Sequence, residues 1–213
     1  MNRRSLSLLA AAALLLPAAP AFAANKTLPA QRLYRYYDNY LALPAAERSH
    51  FTVAYYLKQQ DGAPLAAPVW MVDGARRTPI PLRADGKMLR LPTAAELANA
   101  KVEFGIDETA KIGLGVGPEP SAAPSVDLDA HDLALAVSQA ASGMKKMAGI
   151  MALAVPKVQE VAFLGAGSGE VEFADGHRAP LPLVKGAPTY NPANQPNAKR
   201  IHLAKVPAKL DLN

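Results

Sequence analysis

The chain contains no cysteine among its 213 residues. That absence excludes disulfides, thiol catalysis, cysteine-ligated zinc and iron–sulfur clusters together. It also excludes a lipid anchor of the lipoprotein kind, which requires a cysteine just after the cleavage site. Long apolar runs are missing too. Residues 8–16 form a run of nine, well short of the roughly 18 to 20 that a spanning helix needs. A later stretch, 133–155, carries Lys145 and Lys146 at its middle, where each charge would cost about 2.5 kcal/mol or more in a bilayer. No transmembrane segment is expected. Nor does one sign of charge dominate, with 23 Lys and Arg against 18 Asp and Glu. The densest basic cluster is Lys199-Arg200 with His202 and Lys205, too sparse for a nucleic-acid partner.

Motifs for cofactors and catalysis are likewise lacking. Residues 164–169 read LGAGSG after an apolar stretch, but Glu170 follows where a dinucleotide fingerprint needs glycine, and Val171-Glu172-Phe173 reads as strand. A glycine-rich hairpin turn is the better reading. Ser168 has Ala166 and Glu170 two residues away on either side, so it is no nucleophile elbow. The four histidines, His50, His131, His177 and His202, form no H-x-H or H-x-x-x-H pair. No cofactor is expected.

What is present starts with a leader. Residues 1–23 have the form of a secretory signal peptide: Arg3 and Arg4, the apolar residues 8–16, helix-breaking Pro17 and Pro20, and an A-x-A site at Ala21-Phe22-Ala23. Export is therefore expected, with the periplasm of a Gram-negative cell as residence and release to the medium as the alternative. Cleavage removes two Arg and no acid, which leaves 21 bases against 18 acids.

After the leader, Leu33, Tyr37 and Tyr40 recur at helical spacing with Arg32, Arg35 and Asp38 on the other side, predicting a helix over 28–43 that Pro44 ends. Short strands follow at 51–57, 69–72, 77–82, 87–91, 101–106 and 110–116, several separated by the turn dipeptides Asp61-Gly62, Asp73-Gly74 and Asp85-Gly86. Residues 117–126, GPEPSAAPSV, have no periodicity and read as a linker. Asp127 or Asp129 then caps a long helix over 130–154, with Asp132 favourably placed in its first turn. Strands resume at 158–165, 169–174, 179–184 and 200–206. The expected fold is α+β and mostly β. Two small β modules, 24–116 and 127–213, each sandwich-like or barrel-like, carry an N-terminal helix and one long central helix.

Asp73-Gly74-Ala75-Arg76 leading to Pro79-Ile80-Pro81-Leu82 matches Asp175-Gly176-His177-Arg178 leading to Pro180-Leu181-Pro182-Leu183, with one residue of slip. One hairpin used twice would explain the match; so would chance in a chain with 19 prolines. Alternate prolines block donation on one side, so both segments are expected as edge strands.

Three groups of residues carry candidate chemistry. Six of seven tyrosines fall within 34–56, and with Trp70 they form either a stacking platform for a ligand or the packed face of a helix on a strand. Tyr34 and Tyr36 cannot both share the face of Tyr37 and Tyr40, so at least one should be exposed. Arg76, Arg77 and Arg178, beside the two D-G turns, either meet an anionic group or are solvated turn charges. Met144, Met147 and Met151 lie on one helical face, where thioethers either bind Cu(I) or continue the core stripe of Leu133, Val137 and Ala140. Asp127, Asp129, His131 and Asp132 are the densest hard ligands, forming either an acidic helix start or a metal site that Asp129 and His131 would hold.

The text from Asp61-Gly62-Ala63-Pro64-Leu65 through Pro79–Leu82, Asp85-Gly86-Lys87 and Leu89–Pro92 resembles the transthyretin-like or carboxypeptidase-regulatory β-sandwich pattern over about thirty residues. A tyrosine-rich helix leading into such strands also resembles exported Gram-negative families without an assigned function. The resemblance implies a binding or accessory β-module, from which the long methionine-striped helix departs. The expected function is a non-enzymatic periplasmic binding or envelope-accessory protein, its partner an envelope protein or a small ligand. A hydrolase of envelope glycans or peptides is the alternative and needs carboxylates or a Ser/His pair converging in a cleft. Cu(I) handling is the third reading.

Overall fold

The computed structural model describes residues 25–149 and 157–213. The expected leader and Met151 lie outside the described residues. The first described element is β1 (Asn25–Pro29), whose exposure alternates as in a strand, followed by α1 (Ala30–Leu33) and α2 (Tyr37–Ala42). The single helix expected over 28–43 is thus preceded by a strand and divided at Tyr36, which sits at φ +66°. Packing explains the break. Tyr34 and Tyr40 are six residues apart, which on a straight helix would set them about 120° apart around the axis. Both are nevertheless buried in one file of rings with Tyr37, Tyr55 and Phe51, with centroids 5.1 to 6.3 Å apart. The left-handed residue turns both tyrosines inward.

The first half continues through β2 (Phe51–Lys58), β3 (Val69–Asp73), β4 (Arg76–Pro79), α3 (Ala94–Asn99), β5 (Lys101–Asp107) and β6 (Gly113–Pro120). The second half comprises β7 (Asp127–Asp129), α4 (Ala130–Ala148), β8 (Val161–Leu164), β9 (Gly169–Phe173), β10 (Arg178–Pro180), β11 (Leu183–Val184), β12 (Ala187–Tyr190), β13 (Ala198–Leu203) and β14 (Lys209–Leu212). The fold is α+β and mostly β, as expected, and no sheet closes into a barrel among the described residues.

The halves share one plan. Two four-stranded antiparallel sheets run in the orders β1-β5-β3-β4 and β7-β13-β9-β10. In each, the first strand leads directly into a helix and a D-G hairpin supplies the last two strands. Register corresponds as well: Leu28, Val102, Met71 and Thr78 form one cross-strand row, and Leu128, Ile201, Val171 and Ala179 form its counterpart. Outside these sheets, β2 pairs with β6 as β8 pairs with β14. The other edge of β2 bonds to Gly86 and Met88 as that of β8 bonds to β12. The repeated D-G-x-R…P-x-P-L text therefore marks one supersecondary unit used twice. Its proline-bearing strands β4 and β10 are sheet edges, where the missing donor costs no ladder bond.

Residues 117–120, expected to open a linker, complete β6 instead and pair with β2 up to Phe51. Ser121 donates its N–H to the His50 carbonyl at 2.8 Å, so odd-numbered residues of this stretch turn their backbone toward β2. Pro118 and Pro120 turn theirs away, and the ladder survives them. Asp129 caps α4 by accepting from the N–H groups of His131 and Asp132. The helix buries Leu133, Val137, Ala140, Gly143 and Met147 against β2, β6 and β13, and so touches strands of both halves.

Candidate functional site

Antiparallel alternation sends Leu114 and Val116 to the core face, opposite Leu57 and Tyr55, and Gly113, Gly115 and Gly117 to the other face. β6 lies at the margin of its sheet, and among the described residues β2 is the strand with which it pairs. The core consequently opens along this margin. Ile112, Leu114, Val116, Leu28 and Leu33 line a groove of about 380 Å³ between α1 and β6, rimmed by Tyr36, Arg32 and Arg35. Tyr36 is 54% exposed and Val116 40%. Among the described residues no acid lines the groove. Because odd residues face β2, the N–H and C=O of Leu114 and Val116 point along the free edge.

The far end of β6 is tied down. Glu119 is the one buried carboxylate among the described residues, at 6% exposure. It accepts from the Tyr56 hydroxyl and Lys87 Nζ, and Lys209 Nζ on β14 stands 3.8 Å away. Gly115 and Gly117 place no side chain on the face that Tyr56 and Glu119 share. Burial, and then the bond to Glu119, pushes the Tyr56 phenol well above its ordinary range. Lys209 Nζ also lies 4.8 Å from the Tyr56 ring centroid and pairs with Asp211. Beside them, the Arg83 guanidinium hydrogen-bonds Asp85 and holds that carboxyl down at about 2. The adjoining cavity is about 250 Å³. Its cations Arg83, Lys87 and Lys209 are matched by Asp85, Glu119 and Asp211, so the network satisfies itself and joins β2, β6 and β14.

The expected contact residues do not converge. Tyr34, expected as a candidate contact, is 1% exposed: it is packed on Tyr55, and its hydroxyl points at the Arg90 carbonyl 3.4 Å away. Tyr36 is the exposed ring. Trp70 is half-buried on the outer face of the first sheet under the Arg77 guanidinium, 3.6 Å from its ring centroid, and Arg77 also bonds Glu103 at 2.8 Å. Arg76 is exposed at its turn. Arg178 belongs to a chain on the other sheet, bonding Glu172 at 2.8 Å; Glu172 meets His202 Nε2 at 2.9 Å, and His202 Nδ1 meets Asp127 at 2.6 Å. Arg178 is thus held by an acid of its own sheet.

Met147 is buried and Met144 is half-buried against the same core, so these two thioethers are engaged in packing. Among the described residues no three His, Asp or Glu side chains converge on a metal site. Nor do the acids and the histidine of β5, β9 and the β9–β10 turn gather in a cleft that hydrolysis would need. Asp175 and His177 approach to 2.6 Å, but at an exposed turn with His177 stacked on Phe173. None of Glu103, Asp107, Glu170, Glu172, Asp175 and His177 lines the groove, the Glu119 cavity or a cavity of about 470 Å³ between α4 and residues 191–194.

The residues that build the groove and its tie, Ile112, Leu114, Val116, Glu119 and Lys209, were not among the expected site residues. Their one sequence signal is the alternation of apolar residues at 112, 114 and 116 with glycines at 113, 115 and 117. Comparison with protein-family models, curated proteins and solved structures finds no match to this chain.

Proposed function

We propose that this is an exported, periplasmic, non-enzymatic binding protein that holds an envelope partner in the groove between α1 and β6. One observation carries the reading: an apolar groove, with Tyr36 more than half exposed on its rim, runs along a strand edge whose backbone has no partner strand among the described residues. A surface with that composition and unpaired edge is a liability unless something covers it. The leader-like residues 1–23 and the cysteine-free composition support the compartment. No described helix is long and apolar enough to cross a membrane.

The test is site-specific photocrosslinking in the producing cell. A photoreactive residue at position 36 should give a discrete adduct in the exported fraction, whereas one at the still more exposed Leu183 should not. Intact mass of the recovered chain should start at Ala24. Absence of any adduct from position 36, or an adduct pattern identical to that from 183, would refute the reading.

A further inference from the structure

We infer that the occupant of the groove is an extended peptide segment with alternating apolar residues and an acidic end, which adds as a strand to the free edge of β6. This deepens the binding function proposed above and rests on it. The first ground is the backbone. Odd residues of β6 are committed to β2, leaving Leu114 and Val116 to offer N–H and C=O groups outward, and an incoming strand satisfies such groups at a repeat of two. Pro118 and Pro120 have no N–H to offer, so the receptive edge ends there, next to the Glu119 tie.

The second ground is side-chain pattern. An added strand turns every second residue toward the groove floored by Leu28, Leu33, Leu114 and Val116, so the occupant must be apolar at those positions. A helix would leave the edge groups of β6 unpaired. The third ground is charge. Arg32 and Arg35 rim the groove, and among the described residues no acid lines it and neither arginine has a carboxylate within ion-pair distance. The matching occupant supplies carboxylates, from Asp, Glu or a chain terminus.

The probes are capped synthetic decapeptides alternating Val with Thr, ending in two Asp or in two Lys, titrated into the purified full-length exported protein. The acidic peptide should bind about tenfold tighter than the basic one, the discrimination that two exposed ion pairs supply. The double variant R32E/R35E should reverse that preference while leaving the circular dichroism spectrum unchanged. N-methylation of the peptide amides that face β6 should abolish binding, and methylation of the alternate set should not; this arm needs no variant to fold. Binding of neither peptide, binding without charge preference, or loss of binding without a repeat of two would overturn the inference. An adduct at position 36 together with failed peptides would leave the binding function standing and remove the acidic strand as its ligand.

Discussion

Removing the Glu119 carboxylate should be among the most costly single changes in this protein. The side chain is 8% exposed and accepts from Tyr56 and Lys87, whose own side chain is 22% exposed. Breaking one partner out of a buried ion pair typically costs about 3–5 kcal/mol. Here both lysines retain access to water, roughly a fifth of each side chain being exposed, so their stranded charges can be partly rehydrated. The expected cost of Glu119→Ala is therefore at the lower end, about 3 kcal/mol, a large share of a typical stability of about 5–15 kcal/mol. Glu119→Gln keeps an acceptor for Tyr56 but not the charge, and should cost about half as much. Tyr56→Phe removes one hydrogen bond and should cost about 1 kcal/mol, with a non-additive double variant because the two groups touch. Equilibrium urea unfolding measures all four, with the slope unchanged if the denatured state is unaffected. An alanine variant within about 0.5 kcal/mol of the parent, or strict additivity with Tyr56→Phe, would refute the claim that this network ties β6 to β2 and β14.

Two further changes test the packing. A Cβ added at Gly143 would sit 2.6 Å from Phe51 Cζ and 3.3 Å from Leu43 Cδ1. Gly143→Ala gains about 1 kcal/mol of helix propensity but overpacks a core contact that costs about 1–3 kcal/mol, so the melting temperature should fall, and a rise would contradict the close approach of α4 to β2. Burial pushes the phenols of Tyr34, Tyr37, Tyr55, Tyr56 and Tyr190 above their ordinary value. A pKa raised in the folded state adds stability that is full below the unfolded value near 10 and is lost as pH climbs above it. Absorbance at 295 nm should therefore show these five rings ionising together with loss of circular dichroism, and their independent titration near pH 10 in an intact fold would contradict their burial.

What the sequence made legible follows from the range of the forces involved. Strand alternation, D-G turns and the Asp129 cap are local, so β2, the two hairpins and the start of α4 fall where expected. Even the twofold plan showed through, because the D-G-x-R…P-x-P-L text carries the turn and the edge of one hairpin. The failures are tertiary. Residues 28–43 have the periodicity of one helix, and only the rings of Tyr55 and Phe51, supplied from another strand, demand the break at Tyr36. GPEP reads as linker because proline and glycine carry no period, yet β2 recruits it by bonding its odd residues alone. Glu119 lies within that text, and its partners Tyr56, Lys87 and Lys209 are spread from 56 to 209. No local pattern could assemble them.

The two units explain why the groove lies beside α1. Their buried rows are interchangeable in character, Leu28, Val102 and Met71 against Leu128, Ile201 and Val171. Their outer rows are not: Trp70 pairs with Pro79 where Glu170 pairs with Pro180, and Val72 with Arg77 where Glu172 pairs with Arg178. The helical layers differ more. In the second unit the first strand leads into 19 helical residues that lie across β13 and also reach β2 and β6 of the first. In the first unit the same position holds four helical residues and, after the break at Tyr36, six more. Ten helical residues span about 15 Å even if continuous, and these bend where the rings of Tyr34 and Tyr37 turn inward. α4 covers the Phe51 end of β2 and β6, where Gly143 meets Phe51. The opposite end, from Ile112 to Val116, lies beside a helix too short to close over it. The groove is thus the consequence of burying tyrosines: the break that packs Tyr34 and Tyr40 shortens the cover over β6 and leaves Tyr36 pointing outward at its rim.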